Sequence, residues 1–293
     1  MCLLVALSRM VDGAPLVVAA NRDEYYQRPA KVIDVLRDGG PPGGEPRILG
    51  GRDLAAGGTW LAVNAGGVLA GLTNQPAGGR DPAKRTRGEL PLMFAAYPDA
   101  ATAVAQVCAR LDPADYNPCW LLVGDRDTLF SVGLAGGPRP VVQELPPGRY
   151  VLENVPLGAP SAKADRVGAN VAARLAIAKE AEEIGVAGAA GANGAVDALQ
   201  RVLCDHEVPG GTGEPGGTGG QGGSGNGRER PAELAAACVH LAGHDYGTRS
   251  AMIVAVPWAG TPQVLVADGT PCRAPFTDVT QLWDQADLAR VRS

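Results

Sequence analysis

Cys2 stands directly behind Met1, and once that methionine is removed a cysteine there carries two reactive groups on one residue. A thiol ionises at about pH 8.5 and an α-amine at about 7.7–8.0, so near neutrality the amine is partly unprotonated and can take the thiol proton. Nucleophile and base then share one residue. The competing reading keeps Met1 and makes Cys2 a small residue that opens a strand.

The stretch ANRDEYYQRP places Asn21, Arg22, Asp23 and Glu24 where a second strand ends. With a rise of about 3.3 Å per residue, two strands of similar length joined by a short turn return that end to the side of Cys2. There Arg22 would favour a thiolate or bind a substrate carboxylate, and Asp23 would accept a hydrogen bond from an N-terminal ammonium. The alternative is that these polar groups solvate a turn. Asn74 and Asn154 close the stretches LAGLTN and YVLEN. Side-chain amides at strand ends either donate to a developing oxyanion or form turns. Trp60 and Tyr25 would line a cleft, or Trp60 packs as half-buried core.

These residues need strands to hold them. CLLVALS and PLVVAAN flank the turn signal Asp12-Gly13, so Cys2–Ser8 and Pro15–Asn21 are expected to pair as an antiparallel hairpin. Their near-continuous apolar character predicts a sheet covered on both faces. Thr59–Val63 and Val68–Thr73 repeat the design around NAGG. From Gly88 the composition predicts two helices, the second capped by Asp99. CWLLVGD, DTLFSVG and RYVLEN read as strands, followed by a helix capped by Ser161 and stopped by Gly185, and a further helix at AVDALQRVLCD. AAACVHLAG, RSAMIVAVPW and PQVLVAD predict three closing strands. This order predicts an α+β protein of antiparallel sheets with helices packed outside. It is read as a single domain over 1–293 with a flexible Gly-rich loop at 209–231.

A net charge of −5 supplies no field to hold a phosphate backbone, so nucleic acid is not expected as a partner. No apolar run approaches the roughly 20 residues of a transmembrane helix, and no basic segment precedes a long apolar one. A cytoplasmic protein without a transmembrane segment is the expectation. The six cysteines include no C-x-x-C pair, and His240 and His244 have Gly243 between them and no H-E-x-x-H frame. No metal site is therefore expected, and His206 is read as solvated. Gly211-x-Gly213-x-x-Gly216 follows no strand and encloses a proline, which argues against a dinucleotide site.

The leading MC, then PLVVAANRDEYYQRP, ILGGRDLAAGGTWLAVNAGGVLAGLTNQ, RTRGELP and YGTRS resemble, in that order, the NRDE family, also called the transport and Golgi organisation protein 2 family. The resemblance runs from residue 1 to about residue 256. It implies an N-terminal-nucleophile (Ntn) hydrolase fold, an αββα sandwich of two antiparallel sheets between helical layers. That fold also houses penicillin V acylases and bile salt hydrolases, whose N-terminal cysteine attacks an amide. By this likeness Cys2 is the nucleophile, Arg22 and Asp23 orient and activate it, and Asn74 and Asn154 serve as oxyanion or orientation groups. For the second arginine of those enzymes Arg249 is a candidate only by its place near a strand start, and Asn21, Glu24, Trp60 and Arg249 are expected to contact substrate. GTPCRAPF departs from the family, occupying the place of a Glu-Arg pair. The implied activity is an N-terminal-cysteine amidohydrolase that cleaves a linear C–N bond of a small or acylated substrate, without a cofactor. The rival the resemblance carries is non-catalytic binding and trafficking of haem or of a lipid or acyl-CoA.

Overall fold

The computed structural model describes residues 2–40, 44–75, 80–208 and 231–284. It opens on the expected hairpin, β1 (Cys2–Val11) and β2 (Ala14–Tyr25), turned at Gly13 with φ +79°. Both strands run further than the apolar stretches suggested. Arg9 adopts a φ of 52° and the register shifts between Ser8 and Val11, so a bulge carries the ladder on to the Asp-Gly turn.

Two antiparallel sheets follow. The first is completed by β10 (Gly148–Leu152), β11 (Tyr246–Val256), β12 (Gln263–Asp268) and β13 (Thr277–Asp278), in the order β10-β1-β2-β11-β12-β13. The second is a meander of β3 (Ala30–Arg37), β4 (Ile48–Asp53), β5 (Leu61–Asn64), β6 (Leu69–Asn74), β7 (Cys119–Gly124), β8 (Leu129–Leu134) and β9 (Val141–Glu144), lying side by side in chain order. The helices are α1 (Leu90–Ala95), α2 (Ala100–Arg110), α3 (Ala162–Glu183) and α4 (Gly191–Leu203). Asp99 caps α2 by accepting from the Thr102 N–H, and Ser161 caps α3 by accepting from that of Ala164.

The alternation of β1 and β2 explains the layering. Leu4, Ala6, Leu16, Val18 and Ala20 meet Leu49, Trp60, Leu61 and Leu122 of the other sheet, while Leu3, Val5, Leu7, Val17 and Ala19 meet Val167, Val171, Leu199 and Val202 of α3 and α4. Beyond the second sheet, Leu90, Phe94, Ala103 and Val107 of α1 and α2 cover Leu72, Leu121 and Val132. Each fully buried leucine or valine contributes about 1.5–3 kcal/mol, which holds the sheets against each other and the helices against the sheets. The result is the expected α+β architecture of two antiparallel sheets between helical layers.

One expected strand is absent. AAACVHLAG forms only a single bridge, His240 to Gly247, because its main-chain groups find scattered partners, side chains among them and the Asp205 carbonyl for the Cys238 N–H. The Asn21 amide donates to the Ala237 carbonyl, and the Thr248 hydroxyl accepts from the Val239 N–H. The Gly-rich loop, apart from Pro231, lies outside the described residues. Among the described residues no helix is long and apolar enough to cross a membrane.

Candidate active site

Cys2 opens β1 and stands opposite Arg22 of β2. Both share the side-chain parity of Leu4 and Ala20 and so belong to the face between the sheets. On its other edge β2 pairs with β11, where Asp23 faces Thr248 and Arg22 faces Ser250. Arg249 is the extra residue of a bulge between them.

Cys2 is 8% exposed and lies in the wall of a cleft that encloses about 320 Å³, with Arg22, Asp23, Trp60, Asn74 and Arg87 among its neighbours there. The residue thus borders the cleft while being almost fully covered. The Arg22 guanidinium lies over the Trp60 ring, 4.5 Å from its centroid, and reaches the Asp53 carboxylate of β4 at 3.5 Å. Asp53 also receives the Arg28 Nε–H at 2.9 Å. Two glycines make this wall. A Cβ on Gly51 would stand 2.0 Å from the Trp60 ring, and one on Gly58, where φ is +78°, would stand 2.4 Å from the Gly88 main chain. The second approach lets the Thr59 N–H donate to the Gly88 carbonyl at 2.8 Å, seating the RTRGELP stretch beside the tryptophan.

Burial pushes the Cys2 thiol above its ordinary range, a tendency that Asp23 reinforces and that Arg22 and the Asp23 N–H oppose. Burial and Asp23 thus disfavour the thiolate at this position. Burial likewise raises the Asp23 carboxyl, against the pull of Lys163 and of a hydrogen bond from Thr248. The Thr248 hydroxyl donates to Asp23 Oδ1 at 2.6 Å, and Lys163 Nζ of α3 lies 3.8 Å from Oδ2.

The residues singled out in sequence divide into two groups. Cys2, Arg22, Asp23, Glu24, Trp60 and Asn74 all line the cleft, with Glu24 also 3.7 Å from Arg28. Asn21, Asn154 and Arg249 are not among the lining residues. Asn21 has the parity of Val17 and Ala19 and donates to the carbonyls of Leu203 and Ala237 on the helical side, so it fixes the end of α4 rather than touching substrate. Asn154 donates to the Asn74 main-chain carbonyl and ties the end of β10 to the end of β6 across the two sheets. Arg249 donates to the Arg28 carbonyl. Sequence reasoning missed Asp53, Arg28, Arg87, Lys163 and Thr248. Lys163 had a signal: it lies four and eight residues before Val167 and Val171, on the buried stripe of α3.

Over residues 1–266 the sequence matches the family described as Transport and Golgi organisation 2. The chain belongs to that family. It is 35% identical over 154 residues to the Transport and Golgi organization 2 homolog of Mus musculus, a match covering 50% of this chain and 52% of that one. The Homo sapiens homolog is 36% identical over 154 residues with the same coverage. The chain thus spans about half the length of the curated relatives it matches. Among solved structures it is similar to a variant of the conjugated bile acid hydrolase from Clostridium perfringens, with a TM-score of 0.55 and 11% identity, covering 98% of this chain and 94% of that one. At that identity the likeness shows the fold, and the family member described here has the Ntn-hydrolase fold.

Proposed function

We propose that the chain is an N-terminal-cysteine amidohydrolase that cleaves a linear C–N bond in a small, negatively charged acylated substrate. The observation that carries this reading is the place of Cys2: buried but set in a cleft wall, directly across the ladder from Arg22 and beside the Asp23 main chain.

Removal of Met1 frees the Cys2 amine. That amine takes the Sγ proton, which Cys2 retains at rest because burial disfavours the thiolate. Sγ attacks the amide carbon, and negative charge develops on the carbonyl oxygen. Asn74, at the cleft-lining end of β6, supplies the amide donor for that oxyanion, while Asn154 holds the Asn74 carbonyl and so fixes where the donor points. The C–N bond breaks as the proton passes to the leaving nitrogen. Water then attacks the thioester and restores the thiol. Arg22, oriented by Trp60 and Asp53, stabilises the sulfur's charge, and Asp23 holds the terminal ammonium when it forms.

Substrate charge follows from the walls. Five arginines (Arg22, Arg28, Arg80, Arg85, Arg87) line the cleft against three carboxylates (Asp23, Glu24, Asp53), while the whole chain carries −5. A local cationic surface on an acidic protein concentrates anions. The test is amine release from a panel of N-acyl amino acids and their neutral N-acyl amide counterparts. The anionic members should turn over and Cys2→Ala should lose that turnover while melting like the wild type. Equal amine release by wild type and Cys2→Ala would sink the reading.

A further inference from the structure

A second group of chemically capable side chains lies outside the cleft. His206 follows α4, Cys238 and His240 precede β11, and Cys272 follows β12. One ligand atom from each comes within 4.8 Å of all the others. We propose that these four residues form a metal centre with the donor set of a structural Zn²⁺ site, independent of the amide chemistry.

The spacing suits a small tetrahedral ion. His240 Nε2 lies 3.4 Å from Cys272 Sγ and 3.8 Å from Cys238 Sγ. With Zn–S at about 2.3 Å and Zn–N at about 2.0–2.1 Å, neighbouring ligands of a tetrahedron stand about 3.3–3.8 Å apart. The widest separation, at most 4.8 Å, needs to close by about 1–1.5 Å to reach that geometry. The His206 ring is 4.9 Å from that of His240, centroid to centroid.

The outer hydrogen bond is also in place. His206 Nδ1 is 3.1 Å from the Cys238 carbonyl oxygen, which can only accept, so Nδ1 carries the proton and Nε2 keeps its lone pair for the metal. Histidines that bind metals are commonly oriented in this way by the nitrogen they do not use. Two thiolates and two neutral imidazoles cancel a double positive charge, which suits a site where Cys238 is buried. Two sulfurs and two nitrogens select zinc-like ions over calcium or magnesium, and four protein ligands make the site structural. His206, on the exposed side, borders a cleft of about 450 Å³ through which an ion can enter.

What the centre would hold is specific. Val239, between two of the ligands, donates its N–H to the Thr248 hydroxyl at 2.8 Å and accepts the Thr248 N–H at 2.8 Å. That same hydroxyl donates to Asp23. The ion therefore fixes a short irregular segment on which the support of a buried carboxylate depends, and its ligands stand on both sides of residues 209–230 in the sequence.

The test is titration of the full chain, reduced and stripped with a chelator, with Co²⁺ followed by Zn²⁺. The expected result is one Co²⁺ per chain, with the absorption of tetrahedral thiolate coordination, displaced by Zn²⁺. Zn²⁺ should also raise the melting temperature by on the order of 5 °C. His206→Gln, at an exposed position that leaves folding intact, should weaken affinity by about tenfold or more. Cys272→Ser should lower the thiolate band to about half its intensity, since Cys238 remains. Absence of the band, a band indifferent to both substitutions, or a Cys238–Cys272 disulfide in the native protein would overturn the proposal.

Discussion

Cys2 and Arg22 face each other across the β1–β2 ladder, and the guanidinium of Arg22 is clamped between the Trp60 ring and the Asp53 carboxylate. A planar fork can lie on an aromatic face while reaching a carboxylate, and an ammonium cannot do both. Arg22→Lys should therefore lower kcat/KM by about 10²–10³ through kcat, with KM little changed. Steady-state kinetics on an anionic N-acyl substrate check this. Unchanged kcat would remove Arg22 from the chemistry.

Gly51 is the seat of Trp60. Gly51→Ala puts a methyl within 2.0 Å of the ring and should cost about 1–3 kcal/mol by overpacking, read from the urea midpoint. In a Trp60→Ala background the same substitution should cost almost nothing. An undiminished cost there would place the strain elsewhere.

Asn154 acts through Asn74. Asn154→Ala leaves the Asn74 carbonyl without that partner, so stability should fall by about 1–3 kcal/mol. If Asn74 is the oxyanion donor, kcat should fall as well while the KM holds. Loss of stability without loss of kcat would make the link purely structural.

The acid limit follows from Asp53. Burial pushes its carboxyl up, but the Arg28 hydrogen bond and the N–H groups of Ala56 and Ala55 more than offset this and hold it below the ordinary range. A depressed folded pKa gives stability that is fully present above the unfolded value of about 3.9 and lost as pH falls through the folded one. Asp53→Asn should be less stable than wild type at pH 6, with the gap closing below about pH 4. A gap that persists at pH 2 would assign the loss to packing.

The hairpin was legible because its strands are apolar on both faces and its turn is marked by Asp12-Gly13. Strand rise returned the end at residues 21–24 to the side of Cys2, whereas the Cys2–Arg22 register also depends on the bulge between Ser8 and Val11. Parity carried a signal that residue type obscured. Asn21 and Arg22 are adjacent, so one had to face the helices and the other the second sheet. Asp53, Lys163 and Thr248 come from a different sheet, a helix and a distant strand, and no spacing along the chain announces such meetings. The segment around Cys238 read as a strand because its alanines and Val239 look like one, whereas its main-chain groups are taken by Asn21 and Thr248. The four proposed metal ligands fall in three separate segments and form no C-x-x-C or H-x-x-x-H motif, so only the fold brings them together.

The most direct measurement is the intact mass of the native protein before and after iodoacetamide at neutral pH, with turnover followed alongside. The account predicts a chain lacking Met1, a first adduct that maps to Cys2, and loss of turnover in proportion to that adduct. An active protein that keeps Met1, or full activity after Cys2 is alkylated, would contradict it.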